Sequence, residues 1–194
     1  MQRTYLKRGD TIELNNKMYT VKSVIGDGAT CVVYSAEYKD SNGYPHRVNI
    51  KECYPYNATI TREGVVFNWD NNDDKEKHLK AFDGTYKKLN EWQEGIANVS
   101  VYDICDKNNT KYIIMEHNKN CVTFDKDTPE TLCVILKTVK LLAHYVGKYH
   151  QSGYLHLDIK PSNFLVYPRP SDHIVLFDLD TVTAISDIEY KEKS

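Results

Sequence analysis

The chain has 194 residues, a net charge of −2 and 27% charged residues, so no global basic field points to nucleic acid. Cys31, Cys53, Cys105, Cys121 and Cys133 are scattered and form no Cys-x-x-Cys pair, which favours reduced thiols in a cytoplasmic protein over a disulfide scaffold or a zinc site. No run approaches the ~18 apolar residues of a membrane span, and the polar start Met1-Gln-Arg-Thr-Tyr5 has no signal-peptide core.

The first part of the chain reads as an antiparallel meander. Thr11–Leu14 and Met18–Ile25 read as strands around Asn15-Asn16, a two-residue hairpin signal. After Gly26-Asp-Gly28 a third strand runs from Cys31 to Tyr38, and a turn at Asp40–Gly43 leads into a fourth, Arg47–Lys51. Residues 53–73 read as an irregular insertion with a small hairpin around Gly64. Residues 74–93 have a helical period, with Leu79, Phe82, Tyr86 and Leu89 on one face. Two more strands, Val99–Cys105 and Tyr112–Glu116, flank Asn108-Asn109. Thr128-Pro129-Glu130 is expected to open the longest helix, Thr128 as N-cap and Pro129 at its first position. Leu132, Ile135, Leu136, Val139, Leu142, Val146 and Tyr149 recur on one face until Gly153 ends it. Short strands flank the turn cluster 168–172. The fold class is α+β: a β-rich part, residues 1–118, with one main helix, then a mostly helical part, residues 119–194.

Chemistry concentrates in Tyr154-Leu-His156-Leu-Asp158-Ile-Lys160-Pro-Ser-Asn163, followed fifteen residues on by Asp178-Leu-Asp180. Phosphoryl transfer needs an acid to position the attacking hydroxyl, an amide and a second acid to hold metal, and a cation to offset phosphoryl charge. At these residues the chain resembles the protein kinase family. His156-Leu157-Asp158 stands at the catalytic-loop His-Arg-Asp, Asp178-Leu179-Asp180 at Asp-Phe-Gly, and Lys160-Pro161 matches the serine/threonine form. The resemblance suggests a eukaryotic-like kinase of bacterial origin. It implies a two-lobed fold, with an antiparallel β N-lobe and a partial, mostly helical C-lobe.

The other half of the site resembles the same family. Gly26-x-Gly28-x-x-Cys31-x-Val33 is similar to the glycine-rich loop, with Cys31 at the third glycine. Alone this segment would read as a β-turn, but the β-branched Cys31-Val-Val-Tyr34 continues as a strand, unlike a dinucleotide motif that opens a helix. Val48-Asn49-Ile50-Lys51 resembles Val-Ala-Ile-Lys, and Tyr112–Asn118 the strand entering the hinge. The resemblance implies ATP and Mg²⁺ as cofactors. Gly26, Gly28 and Val33 would cover the nucleotide and Lys51 would anchor its α/β-phosphates. Met115 would be the gatekeeper, and the Glu116 carbonyl and Asn118 N–H would meet the adenine edge. Asp158 would orient a protein Ser/Thr hydroxyl, Lys160 would balance charge, and Asn163 and Asp178 would hold metal. Asn49, in place of alanine, should make the adenine pocket narrower and more polar.

Departures from the family pattern are specific. The glutamate that should pair with Lys51 has no obvious counterpart: its offset falls on Thr85, and Glu76, Glu91 and Glu94 are misplaced. Either the helix is set differently or Lys51 lacks its usual partner. Leu157 removes the arginine that would pair with an activation-loop phosphate, and Asp180 replaces a hinge glycine. No Ala-Pro-Glu follows Asp180. This reads as a truncated C-lobe, or one completed by a C-terminal continuation or a partner chain, which leaves part of the long helix's apolar face uncovered. Two alternatives stand beside the protein kinase: a pseudokinase or nucleotide-binding scaffold, and a small-molecule kinase of the aminoglycoside/choline type.

Overall fold

Asn15 and Asn16 both take positive φ (47° and 62°), the geometry of a two-residue hairpin turn that matches the twist of its strands. They join β1 (Thr11–Leu14) to β2 (Lys17–Asp27), and the antiparallel path continues through β3 (Cys31–Lys39) and β4 (Pro45–Cys53). This is a computed structural model; it describes residues 3–89, 100–118, 121–123, 131–167 and 173–188. The chain divides into two compact units, residues 1–84 with 100–117, and residues 85–99 with 118–194.

In the first unit the segment after β4 is more ordered than its composition suggests. It forms a hairpin of β5 (Ile60–Glu63) and β6 (Val66–Trp69), turned at Gly64, whose φ of 59° suits a residue without Cβ. α1 (Asn72–Leu89) follows; the Asn71 Oδ1 accepts from the Asp73 and Asp74 N–H groups (2.8 and 3.2 Å), capping its start. The helix thus begins two residues before the expected 74, and residues 90–93 of the expected span lie outside the described residues. β7 (Val101–Lys107) and β8 (Thr110–Glu116) turn at Asn108 and Asn109, again both at positive φ, and close a six-stranded sheet of order β1-β2-β3-β4-β8-β7. Ile12, Leu14, Val48, Ile50 and Tyr112 form its buried face with Ile60 and Phe67 of the hairpin. The expected insertion is therefore part of the core.

The second unit holds β9 (Val122–Thr123), α2 (Leu132–Gln151), β10 (Tyr154–Leu155), β11 (Phe164–Tyr167), β12 (His173–Leu176) and β13 (Thr183–Ala184). α2 starts three residues later than Thr128-Pro129 suggested. Thr131 is the N-cap, its Oγ1 accepting from the Val134 N–H at 3.4 Å, while residues 128–130 lie outside the described residues. Tyr149 is buried and Leu142 and Val146 are half-buried, but Leu132, Ile135, Leu136 and Val139 are exposed. The expected stripe is real, and only its C-terminal half is covered. Gly153 ends the helix at φ 81°, where a side chain would be strained. No helix among the described residues is long and apolar enough to cross a membrane.

Candidate active site

In the second unit the loop after β10 is organised around a buried histidine. The His156 Nδ1 accepts from the Asp158 N–H (3.4 Å), which leaves Nε2–H to donate to the Phe177 carbonyl (3.2 Å). The Thr181 hydroxyl donates to the His156 carbonyl at 2.6 Å, and the Tyr149 ring packs edge-on at 5.8 Å. Burial pushes His156 below its ordinary value, against the pull of Asp158 and Asp178. The ring is neutral at pH 7 and holds backbone rather than moving a proton. Since the folded state resists a proton that the unfolded chain accepts at about pH 6.5, this stability is complete above that pH and is lost on acidification. The denaturant midpoint should fall as pH drops from about 7 toward 5.5, and His156→Asn should flatten that slope; an equal slope would place it on another group.

The groups carried by this loop meet. The Asn163 Nδ2 donates to both the carbonyl (3.0 Å) and Oδ2 (2.8 Å) of Asp158, and the Lys160 Nζ reaches the same Oδ2 at 2.7 Å. The Lys160 hydrogen bond, joined by that of Asn163, holds the Asp158 carboxyl below the usual carboxylate range, so it is an ionised acceptor at neutral pH. Asn163 sits in a 3₁₀ turn, Pro161–Asn163, and is buried. Its amide spends both hydrogens on Asp158, leaving Oδ1 as an oxygen donor of the hard type magnesium prefers. Phe177 is pinned on both sides, its N–H by the Asn163 carbonyl (3.0 Å) and its carbonyl by His156. Asp178 follows in the left-handed region (φ 58°), as does Leu157 (φ 62°), which is exposed. Two non-glycine residues in this region are strain held by the surrounding bonds. Asp180 lies in an ordinary 3₁₀ turn, Leu179–Thr181, so the position where glycine was expected needs no special φ.

In the first unit Val48 and Ile50 face the core, as the two-residue period requires, and Lys51 lies on the other face, yet it is only 3% exposed. It is no solvated edge lysine: its Nζ stands 5.8 Å from the centre of the Phe82 ring of α1. Lys51 pairs in register with Val33 on β3 and Ile113 on β8, and Gly26 pairs with Val33. Neither Gly26 nor Gly28 has positive φ, and a Cβ on Gly28 would meet nothing closer than 3.9 Å. The fold itself does not require glycine at 28. Met115 is buried, and Asn49, its register partner, hydrogen-bonds its Oδ1 to the His117 Nδ1 (3.1 Å). Glu116 spends its N–H on the Ser100 carbonyl (2.9 Å). Asn118, in the second unit, accepts the Tyr167 hydroxyl on Oδ1 at 2.6 Å. The Thr85 side chain, and Glu91 and Glu94, lie outside the described residues.

Sequence reasoning missed several charged residues. Glu52 is fully buried and forms a bidentate pair with Arg62 of β5 (both 2.9 Å), with the Tyr34 hydroxyl donating at 3.0 Å. Burial pushes the Glu52 carboxyl up; burial also opposes the charge on Arg62, but Glu52 outweighs it and holds the guanidinium above its usual value. Its position was legible, since Glu52 shares the face of Val48 and Ile50. Asp83 of α1 is buried and paired with Lys111 at 2.5 Å. Asp27, between the loop glycines, binds Arg3, Tyr5 and Tyr56. Burial would raise its carboxyl, but the hydrogen bonds from Tyr56, Tyr5 and Arg3 hold it below the usual range. No local signal marks these partners. No cluster of three or more His, Cys, Asp or Glu side chains suited to a metal occurs among the described residues.

No family model matches the sequence. Solved structures do match. The apo form of PpkA-294 superposes with a TM-score of 0.70 at 21% identity, over 90% of this chain and 61% of that one. The BubR1 kinase domain superposes with a TM-score of 0.67 at 17% identity, over 98% of this chain and 55% of that one. The chain therefore has the protein-kinase fold, and it spans somewhat more than half the length of these neighbours.

Proposed function

We propose that this chain of protein-kinase fold uses MgATP to phosphorylate serine and threonine hydroxyls of proteins. The observation that carries the reading is the cluster in which one ionised carboxylate, Asp158, takes hydrogen bonds from both Lys160 and Asn163, with Asp178 fixed nearby through Phe177. In this reading the Asp158 carboxylate orients the acceptor hydroxyl and takes its proton, and Lys160 swings from Asp158 to the transferring phosphoryl. The Asn163 Oδ1 and the Asp178 carboxylate would hold magnesium, a donor set that suffices because this ion keeps waters and phosphate oxygens as its remaining ligands. Bound magnesium would neutralise charge on the phosphates. In the first unit Lys51 neutralises the α/β-phosphates, and the bare backbone at Gly28 admits them closely. The Glu116 carbonyl and Asn118 N–H take the adenine edge, with Met115 and Val33 as apolar neighbours. Lys160-Pro161 favours a protein hydroxyl as acceptor.

Calorimetry with MgATP tests the metal assignment. Asp178→Ala is expected to weaken MgATP binding by at least about tenfold, since losing even a supporting partner of a metal ligand costs about 10–100-fold, while leaving metal-free ATP unchanged. Equal MgATP affinity in the two proteins would overturn it. Tight MgATP binding with no transfer to any peptide would make the chain a nucleotide-binding scaffold instead.

A further inference from the structure

A loop that covers phosphates is useful because glycine leaves it mobile, yet here the loop is tied down by one side chain from the start of the chain. Arg3 is 6% exposed, although arginine is almost never fully buried without partners. Among the described residues its hydrogen-bond partners are all on the loop. The Arg3 Nη1 ion-pairs with the Asp27 Oδ1 and donates to the Gly28 carbonyl at 2.8 Å, and Nη2 donates to the Ala29 carbonyl at 3.0 Å. The guanidinium lies over the Tyr56 ring, 3.4 Å from its centre, with the Tyr54 ring at 5.4 Å. The Tyr5 and Tyr56 hydroxyls both donate to the Asp27 Oδ2 at 2.7 Å. The Tyr56 N–H adds a bond to the Ala29 carbonyl (2.9 Å), and the Tyr54 N–H one to Thr30 (3.1 Å). The Arg3 Nε is buried and has no hydrogen-bond partner among the described residues, so the fork is directed at the loop even at the cost of an orphaned donor.

Peptide planarity gives this arrangement a consequence. In a trans peptide the C=O and the following N–H point in opposite directions. Pinning the Gly28 carbonyl on the guanidinium therefore turns the Ala29 N–H away from Arg3. A backbone N–H of such a loop held in one direction is an anion-binding donor. We propose that Arg3, with Asp27, Tyr5 and Tyr56, is a positioning clamp that presets the phosphate loop for the nucleotide's phosphates. This rests on the nucleotide reading given above. The clamp touches backbone and not the ligand, so its effect is on the fraction of time the loop is competent, and it acts on the phosphates and not on the base.

The test compares MgATP and adenosine binding by calorimetry in the full chain. If the unclamped loop is competent about a tenth of the time, Arg3→Ala weakens MgATP about tenfold. Adenosine affinity should stay unchanged. Arg3→Lys should recover little, since an ammonium supplies neither the planar fork nor the ring stack. The double variant Tyr5→Phe/Tyr56→Phe removes only two hydroxyls, keeps the core intact, and should show the same selective loss, at about threefold for a partly loosened loop. MgATP affinity unchanged in both variants would overturn the clamp and leave the nucleotide reading standing. Parallel loss of MgATP and adenosine would reduce Arg3 to a structural role. A wild-type chain that binds adenosine but gains nothing from phosphates would overturn both.

Discussion

Asp158→Ala is expected to lower the rate of phosphate transfer to Ser/Thr peptides by about 10²–10⁴, the usual contribution of a positioned general base, with MgATP binding little changed. The reason lies in how the carboxylate is held. Its Oδ2 is gripped by the Asn163 amide at 2.8 Å and by Lys160 at 2.7 Å, and its own N–H rests on His156. These bonds keep it ionised and fix its direction, so alanine removes the acceptor and frees Lys160 at once. The effect should fall on kcat more than on the KM for ATP, because Asp158 is not one of the two residues proposed to hold metal. Asp158→Asn keeps a neutral acceptor for Lys160 and Asn163, which separates loss of the base from collapse of the loop. Initial rates of labelled phosphate transfer, with circular dichroism to confirm folding, decide it. A D158A protein that transfers at the wild-type rate would remove Asp158 from the chemistry.

Arg62→Ala is expected to destabilise the first unit by about 3–5 kcal/mol, the cost of leaving a buried charge without its partner. Glu52 and the Arg62 side chain are 0% and 1% exposed, and both bonds between them measure 2.9 Å. The ion pair ties the β5–β6 hairpin to the end of β4, and the Tyr34 hydroxyl joins it while also accepting the Leu6 N–H at 3.3 Å. Because Lys51 precedes Glu52 on the same strand, loosening the pair should also loosen the lysine, and MgATP should bind more weakly. Replacing both residues together, as Glu52→Leu/Arg62→Met, should cost much less than Arg62→Ala, since an apolar pair of similar volume leaves no charge stranded. Denaturant unfolding and amide exchange in β5 and β6 measure both. A cost near zero for Arg62→Ala would mean that water reaches Glu52.

That the groups proposed for transfer would meet was legible because their spacing is local. Asp158, Lys160 and Asn163 lie within six positions, so one loop can aim all three, and Asp178 is bound to them through the single residue Phe177. The hairpins were legible for the same reason, since two asparagines between strands carry their own turn geometry at Asn15-Asn16 and Asn108-Asn109. The start of α2 was misread because Thr128-Pro129 and Thr131 are both good opening signals, and local sequence does not choose between competing caps. The hairpin around Gly64 was legible, but its place in the core was not, because Ile60 and Phe67 are isolated apolar residues whose burial depends on a distant sheet.

By itself the sequence determined the strands of the main sheet, the two helices, the face on which Lys51 points, and the spacing that lets Asp158, Lys160 and Asn163 meet. Those depend on period and on short separations, which the chain specifies residue by residue. Only the tertiary structure decided where the buried charges go: Arg3 onto the loop at Asp27, Arg62 onto Glu52, Lys111 onto Asp83. Such pairs join positions ten to twenty-eight residues apart. Burying them strips water from two charges at once, a cost that only their mutual attraction in the low-dielectric interior offsets, and no local pattern encodes where such partners meet.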